Sequence, residues 1–418
     1  MSKKKHLIIG CGPAALSAVD TIRCTSQEDE IKVVSREDSL PYSPAILPYL
    51  LAGRIAEGQL FLRDPDCFEK NGVLFITGKE AARIVPDKKQ VVYRDGDVDQ
   101  FDTLLIACGG EPMAQPGVLE KDVLKFHSLG DCRLLAQQLE TGRDVTVLGA
   151  GMVAVELAVA LVERGCRVNI IGRGRPLRAY FDEEAGAYVR TILADSGIEI
   201  RTGKSISHVK GDGKGLEVLC ADGELFKTGV AVSCLGVSPR LSLAQGSGIS
   251  VDHGILADNM MRTNVQGIYA AGDVVEAPSF LNSKPGICAI LPEAIAQGKV
   301  AGANMAGKES VYEGWIPMNL LKFFGHSAFS IGMAMPERSD VEALERKDSG
   351  RRQFERLVFT DGRLIGAMFV NVDIDPGVIS YLIRKRVSIG SRKQALLEQP
   401  LEVGRWLMLN TERNGSSD

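Results

Sequence analysis

Two short segments of the chain have the residue types and spacing that hold phosphate groups. Gly10–Ala15 and Gly149–Ala154 both read Gly-x-Gly-x-x-Ala, and each follows an apolar run and precedes helix-forming residues. In such a strand–turn–helix the first glycine permits a tight turn. The second lets backbone N–H groups approach a pyrophosphate, and the small last residue lets the helix pack on the sheet. One such pattern is weak evidence, but two in one chain predict two dinucleotide sites.

The residues after the second strand of each unit differ. Glu37 follows the strand-like Ile31–Ser35, where a carboxylate can accept hydrogen bonds from a ribose. Asp38 is a rival, and a solvated loop carboxylate is the alternative. In the second unit Gly172 stands at this point and is followed by arginines, of which Arg173 comes first. Arginine here can accommodate a 2′-phosphate, and a solvated basic loop explains the arginines equally well.

Three further segments could complete a nucleotide site. The proline-rich loop 40–49 could line one side of a binding site for a flat ring, or it could be a rigid surface turn. Thr263 to Asp273 is predicted to be a buried strand, after which Gly272 allows close approach and Asp273 can bond a sugar hydroxyl. A helix predicted from Pro292 to Gly307 has an N-terminal dipole that could stabilise negative charge on a bound ring.

Composition excludes several classes of protein. The 418 residues allow two or three domains. Net charge is −4, which gives no reason to expect nucleic acid or an anionic membrane. The apolar run from Val145 to Val162 contains Glu156 and two turn glycines, so we do not expect a membrane span. Residues 1–6 lead straight into a buried-type strand and do not resemble a signal peptide.

The nine cysteines have no metal-ligand or redox-pair spacing, and the five histidines are scattered. The sequence predicts reduced thiols, a cytoplasmic protein and no metal site. Cys11, Cys108, Cys166 and Cys234 are expected to be small buried residues. From Trp315 onward, aromatic residues and a strand–turn–strand pattern predict a third, α+β domain. Its basic stretch at 384–386 and 392–393 is either a solvated helix end or a docking patch for an acidic electron carrier.

These motifs, in this order, resemble the pyridine nucleotide–disulfide oxidoreductase superfamily, in particular its rubredoxin- and ferredoxin-reductase-like members and the NADH oxidases. The residues that carry the resemblance are Gly10–Ala15, Ile106–Gly110, Gly149–Glu156, Leu235–Pro239 and Thr263–Asp273, with Leu357–Ala367 resembling the rubredoxin-reductase C-terminal domain. The resemblance implies an α/β fold with two Rossmann-like dinucleotide-binding domains, for FAD and NAD(P), the second inserted in the first, plus a C-terminal α+β domain. The implied limits are 1–112 and 236–313 for the FAD domain, 113–235 for the NAD(P) domain and 314–418 for the C-terminal interface domain.

The resemblance also implies roles for particular residues. Asp273 is expected on the ribityl chain of FAD, Glu37 on its adenosine ribose and Glu156 near the nicotinamide, with the chemistry centred on the flavin. The expected cofactor-binding residues are Gly10, Gly12, Pro13, Ala14, Ala15, Glu37, Tyr42, Pro48, Ala81, Ala107, Cys108, Gly109, Gly149, Gly151, Met152, Val153, Glu156, Arg173, Gly236, Gly272, Asp273, Pro292, Glu293 and Ala294.

Several residues differ from those usual in the family, and these differences narrow the range of possible functions. No C-x-x-x-x-C pair follows the second strand, and Ala45 stands where the NADH oxidases have a cysteine. Tyr49 replaces a lysine of the ferredoxin reductases, Cys108 replaces a threonine, and Gly172 replaces the acid of NAD-binding members. Because the arginine spacing matches no phosphate-binding pattern, NAD(H) is favoured and NADP(H) stays open.

The resemblance and its departures imply an FAD-dependent NAD(P)(H):acceptor oxidoreductase. Its partner would be an iron–sulfur or rubredoxin-like protein, and the chain would work as an oligomer or as the flavin subunit of an anaerobic 2-oxoacid (phenylglyoxylate-type) oxidoreductase complex. The alternatives are a free-standing NAD(P)H oxidase or peroxidase and a non-catalytic FAD-holding subunit.

Overall fold

The computed structural model of the protein describes residues 3–113, 123–211, 215–336 and 340–415. The chain forms two compact units. The first consists of Met1–Met113 and Val237–Ile316, and the second of Ala114–Gly236 and Pro317–Asp418. A segment of the second unit is thus inserted between the two segments of the first.

Strands and helices are numbered along the chain. The first unit contains β1 (Lys5–Ile9), β2 (Glu30–Val34), β3 (Val73–Ile76), β4 (Ala81–Val85), β5 (Gln90–Tyr93), β6 (Val98–Gln100), β7 (Thr103–Ile106), β8 (Gly110–Pro112), β17 (Val237–Pro239), β18 (Ile255–Leu256), β19 (Ile268–Ala270), β20 (Val275–Pro278) and β21 (Pro285–Gly286), with α1 (Pro13–Thr25), α2 (Leu47–Leu51), α3 (Cys67–Lys70) and α7 (Leu291–Met305). The second contains β9 (Leu124–Lys125), β10 (Asp144–Leu148), β11 (Arg167–Ile171), β12 (Ile198–Arg201), β13 (Ile206–Gly211), β14 (Leu216–Cys220), β15 (Leu225–Thr228), β16 (Val230–Ser233), β22 (Met318–Phe323), β23 (His326–Gly332), β24 (Glu342–Asp348), β25 (Gln353–Thr360) and β26 (Arg363–Val370), with α4 (Leu129–Gln138), α5 (Met152–Glu163), α6 (Glu183–Asp195), α8 (Pro376–Arg384), α9 (Lys393–Glu398) and α10 (Pro400–Gly415).

The first unit is built on a five-stranded parallel sheet in the order β19-β7-β1-β2-β3. Its central strands are apolar runs because both faces of a parallel sheet are buried. Helices α1 and α7 pack side by side in the same direction, since Gly298 lies against Ala14 and Gly302 against Ala18. A Cβ at Gly302 would lie 2.6 Å from the Ala18 carbonyl oxygen, so the glycines allow this close packing. Both helices therefore begin at the same end of the unit.

The second unit repeats this plan and adds a domain. Its parallel sheet has the order β12-β11-β10-β16-β9, and an antiparallel sheet follows in the order β22-β23-β26-β25-β24. Helix α6 joins the two parts, because Asp182, at its N-cap, pairs with Arg356 of β25 and Glu184 pairs with Lys347 of β24. No helix among the described residues is long and apolar enough to cross a membrane.

The structure corrects some local predictions. The strand predicted from Thr263 is only Ile268–Ala270, because the Thr263 hydroxyl donates to the Ile268 carbonyl oxygen and accepts from the Val265 N–H, which forms a turn. The helix predicted from Pro292 to Gly307 runs from Leu291 to Met305. Helix α4 covers Leu129–Gln138, and residues 114–122 lie outside the described residues. Cys166 is buried as expected, whereas Cys11, Cys108 and Cys234 are only half-buried.

Candidate functional site

The first glycine turn joins β1 to α1. The Gly10 N–H donates to the Val34 carbonyl oxygen at 2.8 Å. Gly10 has φ +108°, and an added Cβ would overlap the Ala107 carbonyl oxygen, so only glycine fits there. Gly12 is the N-cap of α1, with Pro13 as the first helical residue, and nothing lies within 4 Å of the place where its Cβ would be. Gly12 therefore leaves open space beside the N–H groups of the first turn of α1.

The second glycine turn joins β10 to α5 and has the same geometry. The Gly149 N–H donates to the Ile171 carbonyl oxygen at 2.8 Å, and Gly149 has φ +124°. A Cβ there would overlap the Cys234 carbonyl oxygen. Gly151 is the N-cap of α5, and it too has nothing within 4 Å of its Cβ position.

Both turns fit the pyrophosphate of a dinucleotide. Neither α1 nor α5 has a side-chain cap within the described part of the chain, so the N–H groups of each first turn can bind an anion. Ala14 and Ala15 of α1 and Ala154 of α5 are buried, which brings each helix close to its sheet. Met152 is half-buried and Val153 is 41% exposed at the start of α5.

Glu37 lies beyond β2 with a partner from the proline-rich loop. The buried Tyr42 donates its hydroxyl to Glu37 Oε2 at 2.6 Å. The rival carboxylate of Asp38 accepts a hydrogen bond from the Thr77 hydroxyl at 2.8 Å. Pro48, in α2, is buried, and Ala81 begins β4. Glu37 and Asp38 are both exposed and each is oriented by one hydroxyl donor, so both have the placement of an acceptor for ribose hydroxyls.

Gly272 and Asp273 lie next to the starts of α1 and α7. Gly272 has φ +82°, and a Cβ there would be 3.2 Å from the Cβ of Ala14 and 3.9 Å from that of Ala294. Its N–H donates to Gln297 Oε1 at 2.8 Å. Asp273 is half-buried beside these two helix N-termini. An acceptor for sugar or ribityl hydroxyls is thus placed beside the first glycine turn, and Gln297, which positions it, was not predicted.

The carboxylate of Glu293, one of the expected cofactor-binding residues, forms hydrogen bonds inside the protein. It is 2% exposed and accepts hydrogen bonds from the Tyr312 hydroxyl and, at 3.2 Å, from the Ile316 N–H. Burial and the nearby Glu293 charge raise the pKa of Tyr312. Pro292 beside it is exposed. This buried pair fixes the first turn of α7.

Arg240 supports the segment 107–110 and was also missed by sequence reasoning. Its guanidinium donates to the carbonyl oxygens of Cys108 at 3.0 Å and Gly110 at 3.1 Å, and its N–H donates to that of Gly109 at 3.0 Å. Its position directly after the motif 235–239 was the available signal. Burial raises the pKa of the Cys108 thiol to about 11, so this thiol is protonated at neutral pH.

The second unit contains a carboxyl group, that of Glu156, which is a weaker acid than usual. Burial raises the pKa of Glu156, on α5, to about 7. Burial also raises the pKa of the Cys234 thiol to about 12. Gly236 follows with φ +113° and is exposed. Glu156 can therefore gain or lose a proton near neutral pH.

Gly172 is closely packed, and its N–H and carbonyl groups both form a backbone hydrogen bond. Its N–H donates to the Arg201 carbonyl oxygen at 3.0 Å, and its carbonyl oxygen accepts from the Lys204 N–H at 3.1 Å. A Cβ there would lie 2.9 Å from the Cβ of Ala150. The N–H group of Gly172 is therefore already paired within the protein, and the side chain of Arg173 is exposed.

Two further sets of candidate groups are the cysteines and one cluster of carboxylate and imidazole side chains. All nine cysteines are free thiols. Asp252, His253 and Glu276 form a cluster with metal-ligand atoms, but Glu276 Oε2 accepts the N–H groups of His253 and Gly254 at 3.1 Å each, which explains its burial.

Comparison with known proteins agrees with this geometry. A family model described as pyridine nucleotide-disulphide oxidoreductase matches residues 4–301, and one described as rubredoxin NAD+ reductase C-terminal domain matches 317–375. The chain is 33% identical to NADH-dependent phenylglyoxylate dehydrogenase subunit epsilon of Aromatoleum evansii over 98% of both chains. It is 28% identical to NADH-rubredoxin oxidoreductase of Clostridium acetobutylicum, over 79% of this chain and 82% of the relative.

A solved structure shows the same fold. A chain of the covalent putidaredoxin reductase–putidaredoxin complex matches with a TM-score of 0.88 at 21% identity, over 97% of this chain and 100% of the other. The chain therefore belongs to the pyridine nucleotide-disulphide oxidoreductase family, and its cofactors are FAD and NAD(H).

Proposed function

We propose that the chain transfers electrons between NADH and a small iron–sulfur or rubredoxin-type protein, with FAD in the first unit and NADH in the second. The observation that carries this proposal is the pair of matching glycine turns in a chain whose nine cysteines are all free thiols. When bound, FAD takes two electrons from a nicotinamide and can release them one at a time. That property suits a one-electron carrier.

The chain's own residues supply binding and orientation. The N–H groups at the starts of α1 and α5 hold the two pyrophosphates. Glu37, with Tyr42, binds the adenosine ribose of FAD, and Asp273 binds its ribityl chain. Glu156 lies near the nicotinamide, where its pKa of about 7 lets it exchange a proton at neutral pH. The other expected cofactor residues contribute backbone and packing contacts.

The partner is supported by the C-terminal part of the second unit. Residues 317–375 match a rubredoxin NAD+ reductase C-terminal domain, and one relative is named as an NADH-rubredoxin oxidoreductase. Another is named as a subunit of a phenylglyoxylate dehydrogenase. We therefore infer that residues 314–418 bind the electron carrier or an iron–sulfur subunit of the same complex, in the cytoplasm.

A free-standing NADH oxidase is the second candidate, because a relative of that name is 27% identical over 88% of this chain. Ala45 counts against it, since the sequence offers no cysteine there to react with an oxygen species. The raised pKa values of Cys11 and Cys108 also disfavour thiolate chemistry.

Competition between acceptors tests the proposal. FAD-loaded protein is mixed with NADH in air, with and without oxidised rubredoxin or a [2Fe–2S] ferredoxin, while carrier absorbance and oxygen uptake are followed. We expect one of the carriers to be reduced much faster than oxygen is consumed. Oxygen uptake that accounts for all NADH oxidised, whichever carrier is added, would favour the oxidase.

A further inference from the structure

The loop after β11 carries three arginines and folds back onto the second glycine turn. The Leu177 N–H donates to the Ala150 carbonyl oxygen at 2.8 Å, and Ala150 lies between the two glycines of that turn. Gly172, where the loop begins, also packs on Ala150. In a dinucleotide-binding unit this loop borders the adenosine ribose, where a 2′-hydroxyl or a 2′-phosphate is read. Gly172 offers no carboxylate to repel that phosphate, so selectivity for NADH over NADPH must come from other residues.

Arg175 is the arginine of this loop that α6 holds. Its Nε pairs with Glu183 Oε2 at 2.8 Å, and its side chain is 20% exposed. The guanidinium lies on Gly186, where an added Cβ would be 2.7 Å from Nη1. That Nη1 atom is buried and has no hydrogen-bond partner among the described residues. An unsatisfied buried donor is unfavourable, and a phosphate oxygen is a strong acceptor for a guanidinium.

The other two arginines are placed differently. The side chain of Arg178 lies over Gly174, where an added Cβ would be 2.7 Å from its Cδ. Arg173 is exposed and forms no ion pair within the described ranges. Arg175 is therefore the cation whose position depends on one identifiable carboxylate. That carboxylate also lies 3.6 Å from Nη1 of Arg190.

We infer that Glu183 is a specificity-determining residue, which holds Arg175 on α6 and so keeps the second site from binding the 2′-phosphate of NADPH. Glu183 acts through Arg175 and is a positioning residue. The inference rests on the proposed place of NADH in the second unit. It explains how a site with a basic loop and no ribose carboxylate can still use NADH.

Ligands without a nicotinamide isolate this effect from catalysis. Isothermal titration calorimetry on FAD-loaded protein compares adenosine 2′,5′-bisphosphate with AMP. We expect Glu183→Gln to raise the ratio of their affinities about tenfold, the size of one charge-assisted hydrogen bond. The KM for NADPH should fall while kcat with NADH is unchanged. Glu183 is 70% exposed, so the substitution leaves the core intact, and Glu183→Ala is a second variant with the same expectation.

Two variants control for charge. Glu184→Gln, on the same turn but paired with Lys347, makes the same charge change and should move the ratio less than about twofold. Adding Arg175→Ala to Glu183→Gln should abolish the gain. An unchanged ratio in both Glu183 variants, an equal gain in Glu184→Gln, or a gain that survives Arg175→Ala would overturn the inference. Wild-type protein that bound neither AMP nor NADH would instead overturn the proposed nucleotide site together with it.

Discussion

The two glycine turns are alike in backbone and differ in the side chains around them. Gly10 and Gly149 have φ values of +108° and +124°, and both N–H groups donate at 2.8 Å to the end of the second strand. In each, a Cβ would overlap the carbonyl oxygen at the end of a neighbouring strand. Recognition of a pyrophosphate needs only this backbone, so the same solution serves both units.

The differences begin where the ribose would lie. The first unit has Glu37, fixed by Tyr42. The second has the packed Gly172 and an arginine held by Glu183. On the helices themselves, Ser17 of α1 occupies the position of Glu156 on α5, seven residues after the first glycine. We therefore infer that side chains outside the glycine pattern decide which dinucleotide each unit binds.

The largest expected effects come from substituting the second glycine of each turn, and they differ between the two turns. Gly12→Val should abolish FAD retention, and Gly151→Val should leave FAD bound but lower NADH affinity at least about 100-fold, because each side chain enters the space of a pyrophosphate. Both glycines have extended backbone and open space, so the protein itself tolerates valine. Flavin content and NADH titration measure the outcome. Gly12→Val protein with stoichiometric FAD would contradict the assignment.

The carboxyl group of Glu156, which has no counterpart on α1, should make the free energy of unfolding depend on pH. Because the pKa of Glu156 is raised to about 7, the folded state keeps its proton longer than the unfolded state. Stability from this group is thus lost as pH rises from about 4.5 to about 7. Glu156→Gln should remove that loss, worth on the order of 3 kcal/mol. Calorimetry at pH 5 and pH 8 tests this, with Glu163→Gln on the same helix as control. Equal pH dependence in wild type and Glu156→Gln would refute it.

Substitution of Glu37, the proposed ribose-binding carboxylate of the first unit, should have a smaller effect on FAD binding. Glu37→Gln should weaken FAD binding about tenfold, since an amide is a poorer acceptor for two ribose hydroxyls. Tyr42→Phe should weaken it less, because only the orientation of Glu37 is lost. Asp38→Asn is the matched control, as Asp38 already bonds Thr77. If Asp38→Asn weakened FAD binding more than Glu37→Gln, the two carboxylates would have to exchange roles.

Thiol substitutions should have the smallest effect. Cys11→Ser and Cys108→Ser should each leave the rate of flavin reduction by NADH within about tenfold, or about 1.4 kcal/mol of barrier. The raised pKa of each thiol is the reason. Stopped-flow bleaching of the flavin measures the rate. A folded, FAD-containing variant without turnover would implicate a thiol.

Sequence reasoning succeeded where function depends on local backbone. The glycine turns and their flanking strands could be predicted because φ restrictions and apolar runs are local properties. Arg240 and Gln297 were missed because their partners, Cys108 and Gly272, lie 132 and 25 residues away along the chain. Glu293 was placed at the right helix start, but its buried bond with Tyr312 could not be seen from spacing. The strand expected from Thr263 was too long because a hydroxyl-capped turn competes with extended backbone.

In the proposed function, electrons reach the partner without a redox-active thiol pair. Anaerobic titration of FAD-loaded protein with dithionite measures it most directly, because a disulfide would take up two electrons in addition to the two of the flavin. We expect complete bleaching of the flavin after two electrons per FAD, with no further uptake. An end point of four electrons per FAD would contradict it.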